Sequence, residues 1–201
     1  MEGFRLNLKS HRTLFSVIFF VLIFVILVSA ISIVVFLPRG EEAFSELWVL
    51  GPGHKAEDYP FNIRAGEQYR VFVGVGNHLG HSADYMVCVK LCNESQPLPA
   101  ALNPSPSPPL YEFRFSVEDG GNWDAPVDFM FLDASRSDGA CFIHRVSING
   151  VVFPINSSSN WDSEKIGFYY QLFFELWLYN ETSRSFRYHS RFVGILLNMT
   201  C

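Results

Sequence analysis

Charge is scarce in this chain. Only 17% of its 201 residues are Asp, Glu, Lys or Arg, and none falls between Arg12 and Arg39. A disordered chain needs many charges and few aromatics. Here aromatics make up 16% and apolar residues 49%, which excludes disorder. Catalytic signatures are missing as well. No Gly-x-Ser-x-Gly, His-Glu-x-x-His, Walker loop or Rossmann glycine pattern occurs, so these hydrolase and nucleotide templates have no footing. The four cysteines contain no Cys-x-x-Cys spacing, which removes a zinc ribbon or thioredoxin-type site. No EF-hand-like loop is found, nor an internal repeat. Nothing in the pattern calls for a cofactor. The net charge of −5 argues against a nucleic-acid partner.

What is present begins with 26 uncharged residues, 13–38. As a helix rising ~1.5 Å per residue they cross a ~30 Å hydrocarbon core with some tilt to spare. Arg5, Lys9 and Arg12 precede the stretch, and Arg39 with Glu41, Glu42 and Glu46 follows it. The positive-inside bias then places residues 1–12 in the cytoplasm and 39–201 outside. The expectation is a single-pass protein of the cell membrane: a cytoplasmic tail, a helix over 13–38 whose partner is the lipid bilayer, and an extracellular domain over 39–201. A cleaved signal peptide ending at Val28-Ser29-Ala30 is the alternative, but signal cores run only ~7–15 residues. Residues 1–12 carry +2, which leaves −7 on the remainder.

Two further features point outside the cell. Sequons occur at Asn93, Asn156, Asn180 and Asn198, all beyond the apolar stretch, whereas Asn103-Pro104-Ser105 is blocked by its proline. They are the expected glycosylation sites. Cys88, Cys92, Cys141 and Cys201 also lie there, and an even count in an oxidising compartment predicts disulfides, with three pairings open. On one extended strand Cys88 and Cys92 stand ~13 Å apart, beyond the ~7 Å Cα separation that a bridge tolerates. Each is therefore expected to pair with Cys141 or Cys201.

Period-two alternation dominates the exported part. It runs through Tyr69–Val75, Tyr85–Leu91, Tyr111–Val117 and Val127–Phe131. Ile143–Ile148, Asn149-Gly150 and Val151–Phe153 spell a hairpin with a type I′ turn. The apolar run Ile166–Tyr179 alternates too, and reads as one strand, with a last strand near Phe192–Met199 returning along it. The Pro-rich segment Asn103–Pro109, the turn Glu118–Asn122 and the serines Ser157–Asn160 read as loops. Seven to nine such strands predict an all-β fold, an immunoglobulin-like antiparallel β-sandwich, with a jelly roll as runner-up.

The segment Phe44–Asn62, with Ala65-Gly66-Glu67 and Gly74-Val75-Gly76-Asn77-His78, resembles the archaeal membrane-protein family catalogued as domain of unknown function 1616. Phe174-Glu175-Leu176-Trp177-Leu178-Tyr179 and Arg187-Tyr188-His189-Ser190 resemble that family's closing hairpin. The resemblance implies an archaeal source and a β-rich domain outside the membrane. It brings no activity and no catalytic residues.

The candidate contact residues are Lys55, Glu57, Asp58, Tyr59, Asn77, His78 and Trp123, on loops expected to group at one end of the sandwich. Trp123 and Trp161, read as loop residues, are the candidates for stacking on a sugar. His78 and His81, with His54, are a weak metal set, and no catalytic or metal residue is assigned. The leading expectation is a surface protein whose sandwich is an interaction or structural module: an envelope component, adhesin or accessory subunit of a membrane complex, with a protein or glycan partner. It is read as a binder, not an enzyme. The alternatives are a surface hydrolase and a solute- or glycan-binding receptor.

Overall fold

The computed structural model describes residues 15–29 and 43–201. Residues 15–29 form a helix whose side chains are all exposed. Among the described residues no helix is long and apolar enough to cross a membrane. The rest of the 13–38 stretch, and the 1–12 tail, lie outside the described residues.

Ala43–Cys201 is a separate compact unit of ten strands: β1 (Phe44–Leu50), β2 (Asn62–Arg64), β3 (Gln68–His78), β4 (Ala83–Asn93), β5 (Tyr111–Val117), β6 (Asn122–Ser137), β7 (Ala140–Ile148), β8 (Val151–Asp162), β9 (Gly167–Asn180) and β10 (Ser185–Thr200). The fold is all-β. One curled sheet runs β1-β3-β6-β7-β8-β9-β10-β2, and β4 pairs with both β9 and β5. All pairs are antiparallel except β10 with β2. β8 meets β9 only at Trp161↔Phe168 and Asp162↔Gly167. At that corner the sheet turns over, so β1-β3-β6-β7-β8 faces β5-β4-β9-β10. The inward side chains of both sets, among them Val73, Phe129 and Ile143 on one and Tyr85, Phe174 and Leu197 on the other, share a single core.

The expected strands are present, and so is the hairpin: Asn149 and Gly150 have φ of 49° and 81°, as a type I′ turn requires. The strand read over 166–179 is β9. Several expectations need correction. Ser157–Asn160 is not a loop but part of β8, paired with Ile143, Phe142, Cys141 and Ala140; backbone ladder bonds do not depend on the side chain, and strand neighbours override propensity. Trp123 and Trp161 likewise sit in strands, β6 and β8. The last strand starts earlier than expected, at Ser185, because a bulge between Tyr188 and Arg191, with Ser190 at φ 55°, absorbs the irregular stretch.

β4 is also buried on both faces. Met86, Cys88 and Lys90 are 3–8% exposed, although a half-buried strand would leave that row in water. At Lys90 the cover is the Pro-rich loop, whose Ser105 and Ser107 are buried. Ser105 N–H donates to Glu175 Oε1 at 2.7 Å, and Lys90 Nζ donates to Ser105 O at 2.8 Å.

The cysteine expectation fails in part. Cys141 on β7 bonds to Cys201 after β10, at a Cα separation of 5.9 Å, whereas Cys88 and Cys92 are free and buried. The length argument correctly kept the two β4 cysteines apart. Their expected partners are bonded to each other, because Cys141 and the end of β10 meet at the edge of the core.

Candidate functional site

The loop after β1 is shaped by Gly51, where a Cβ would lie 1.9 Å from Glu57 O. Tyr59 OH donates to Val49 O at 2.9 Å and ties the crossing from β1 to β2 back onto the strand it left. Lys55 and Glu57 form an exposed pair at 3.4 Å, of little energetic weight. Asp58 has φ 55°. His54 reaches Asp124 Oδ2 at 2.9 Å and packs on the Phe72 ring at 4.1 Å.

Asn77 and His78 lie elsewhere. In the β1–β3 register His78 faces Phe44, at the end of β1 opposite the Gly51 loop. The candidate loops therefore do not group at one end. Those at Asn77–His81 and Glu118–Gly121 do meet: Gly120 N donates to Asn77 O at 2.7 Å, and Gly80 N donates to Asp119 Oδ1 at 2.8 Å. Asn77 is not a contact residue. It is 0% exposed; its Nδ2 donates to the carbonyls of His81 and Val117, while its Oδ1 accepts from Leu79 N–H and Tyr85 OH. The sequence carried a signal for this, since Val71, Val73, Val75 and Asn77 share one parity and hence the inward face. Tyr85 OH continues to Ser45 Oγ at 2.7 Å, and Ser45 Oγ to His189 Nε2 at 3.1 Å. Burial and the nearby Arg191 charge hold the His189 imidazole below its ordinary range. This chain of polar groups joins β1, β3, β4 and β10, and the sequence reading missed it.

His78 stacks on Phe44 at 4.7 Å and stands 3.7 Å from Glu46. His81 Nδ1 contacts Ser82 O at 2.8 Å. Among the described residues no group of three or more His, Cys, Asp or Glu is placed to hold a metal. Trp123 lies flat on Phe115, 3.6 Å away, and packs against the core. Trp161 remains 46% exposed, with Arg136 near its ring.

One arrangement was not foreseen. Ser135 Oγ lies 3.2 Å from His144 Nε2, and His144 Nδ1 lies 3.3 Å from Asn156 Oδ1. His144 sits where the β7–β8 register shifts, and Asn156 has φ 42°. All three residues are exposed. The order of groups is that of a nucleophile, a base and an orienting amide.

Cys88 and Cys92 on β4 are free thiols. Burial pushes Cys88 up to about 12, helped by Glu112, and Cys92 up to about 11, so neither is a ready nucleophile at neutral pH. The sequons differ in their surroundings. Asn93 Nδ2 donates to Ser158 O at 2.6 Å, and Asn198 Nδ2 donates to Asn62 Oδ1 at 3.2 Å. Asn180 caps the β9–β10 turn through its Oδ1. Between β1 and β10 runs an apolar groove of about 500 Å³, lined by Leu47, Val49, Tyr59, Phe61, Val193 and Leu196.

Residues 38–137 match the model of the family described as Domain of unknown function (DUF1616). The match includes the Phe44–His78 motif and stops before the segment Phe174–Ser190. No curated protein matches the chain. Among solved structures, a CARDB domain from Pyrococcus furiosus in complex with di-metal ions is similar at 7% identity over 80% of this chain and 90% of that one, with a TM-score of 0.39. The human complex of zinc 2-glycoprotein and prolactin inducible protein gives 9%, 81% and 99%, with a TM-score of 0.38. A beta-glucosidase from Listeria innocua gives 9% over 78% of this chain, with a TM-score of 0.35, and the chain spans only 16% of its length. No likeness at these TM-scores bears on function.

Proposed function

We propose that this chain, which carries a domain of that family over residues 38–137, is a membrane-anchored surface protein whose β domain is an interaction or structural module. The observation that carries the reading is the Cys141–Cys201 disulfide, because such bonds persist in oxidising compartments. The fully exposed apolar helix over 15–29 supports the anchor, since a helix apolar all round belongs in a core or in lipid. An immunoglobulin-like sandwich is supported by strand order. β1-β3-β6 opposite β5-β4-β9-β10 follows the A-B-E and C′-C-F-G arrangement, with the β7–β8 hairpin added between E and F. Binding rather than catalysis is supported by the charged groups of the first motif. Lys55 with Glu57, and His54 with Asp124, pair in exposed contacts rather than converging on a pocket.

The test is fractionation with protease shaving. The full chain is expected to stay in the membrane fraction after an alkaline carbonate wash, with an epitope after Cys201 removed from intact cells. A carbonate-soluble chain, or a protected epitope while a surface marker is cleaved, defeats the reading.

A surface hydrolase is the second reading, and Ser135, His144 and Asn156 are the observation in its favour. An activated serine reacts with a fluorophosphonate probe. We expect no labelling at Ser135, because all three groups stand in water, where an oxyanion gains little from its donors. Labelling that disappears in Ser135→Ala and His144→Ala would establish the hydrolase instead.

A further inference from the structure

A second cleft, of about 220 Å³, lies between the Pro-rich loop and β8. Its walls include Leu91, Pro108, Leu110 and Ile155, and its polar residues include Gln96, Ser107, Asn156 and Ser157. Two properties in combination set it apart. No Asp, Glu, Lys, Arg or His lines it. And the hydroxyls of Ser107 and Ser157, which come from opposite walls, are both buried without a hydrogen-bond partner; the Ser107 residue is only 6% exposed. Buried hydroxyls are normally paired, and leaving one unpaired is costly. Both hydroxyls border this one cleft, and no protein group takes up their hydrogen bonds.

We propose that this cleft binds a neutral, hydroxyl-bearing solute the size of a single sugar ring. The absence of charge selects a neutral ligand, because an ion there would be desolvated with no counter-charge. The volume is below the ~300 Å³ at which drug-sized pockets begin, and so admits one ring rather than a chain. A serine hydroxyl both donates and accepts, and so does a sugar hydroxyl; a χ1 hop between staggered rotamers turns either serine toward the ligand. The carboxamide of Gln96 supplies a further donor and acceptor, while the proline and aliphatic walls meet the C–H faces of the ring. The proposal goes beyond the module reading and does not depend on the membrane anchor.

The test is calorimetric titration of the full chain, held in a detergent without a sugar headgroup. The neutral probes are glucose, galactose, mannose and N-acetylglucosamine; glucosamine and gluconate are the charged controls. At least one neutral sugar is expected to bind, with the charged controls at least about tenfold weaker. Ser107→Ala and Ser157→Ala are each expected to weaken binding roughly threefold to tenfold, the loss of one neutral hydrogen bond, without lowering the unfolding midpoint. Three results would overturn the proposal: no heat from any neutral sugar up to about 50 mM, equal binding by the charged controls, or alanine variants that bind as the parent does. A lowered midpoint in either variant would also count against it, since the hydroxyl would then have had a partner in the free protein.

Discussion

Lys90→Met is expected to destabilise the β domain by about 3–5 kcal/mol, the usual cost of removing one partner of a buried ion pair. Lys90 Nζ stands 2.8 Å from Glu175 Oε2, and the two side chains are 5% and 0% exposed. Without the ammonium, Glu175 keeps only the Ser105 N–H at 2.7 Å and Trp177 Nε1–H at 3.2 Å. Two neutral donors do not offset the desolvation of a buried carboxylate. The damage also spreads, since the same ammonium holds Ser105 O and with it the Pro-rich loop over β4. The double variant Lys90→Met with Glu175→Leu removes both charges and is expected to recover much of the loss, because well-packed apolar residues often replace such pairs at little cost. Urea unfolding of the parent, both single variants and the double variant measures this. A Lys90→Met cost below about 1 kcal/mol, or a double variant worse than the sum of the singles, would show that the pair is not a coupled buried unit.

That ion pair marks the boundary of what the sequence discloses. Strands with one wet face announce themselves, since alternation at Tyr111–Val117 is a direct consequence of the pleat. Asn149-Gly150 announces its hairpin because few residues accept positive φ. Lys90 sits in the polar parity of β4, and Glu175 on the face of β9 that reads as only partly covered. Only the return of a loop 15 residues away in sequence, through Ser105, makes them buried. Proline and serine say that the loop is irregular, not where it lies. The Ser157–Asn160 strand was hidden for the opposite reason: its local composition signals a loop, and its place between β7 and the corner overrides that signal. In the candidate site, Lys55, Glu57 and Tyr59 were found as a loop. The Asn77–Tyr85–Ser45–His189 chain was not, because its members span 144 positions and only the fold brings them together.

The cysteines supply the second large effect. Replacing Cys141 and Cys201 together by alanine is expected to lower stability by roughly 4 kcal/mol, from the loop entropy that a bridge removes from the unfolded chain. The bonded residues are 60 apart in sequence, so the closed loop is long and the constraint strong. It holds the end of β10, where Asn198–Thr200 pairs with β2, against β7. Cys141 is fully buried, and its carbonyl accepts from Tyr170 OH at 2.6 Å, so the bridge anchors the end of β10 to the core. The other two cysteines provide an internal check. Cys88 and Cys92 are buried thiols held well above their ordinary range, and only the thiolate alkylates readily. Alkylation of the native, non-reduced protein is therefore expected to label none of the four, and alkylation in denaturant without reductant to label two, mapping to Cys88 and Cys92. Four labelled thiols, or a bridged peptide containing Cys88 or Cys92, would refute the Cys141–Cys201 assignment. A double-alanine variant that unfolds within about 1 kcal/mol of the parent would show instead that β10 is held by its strand pairing with β9 and β2 alone.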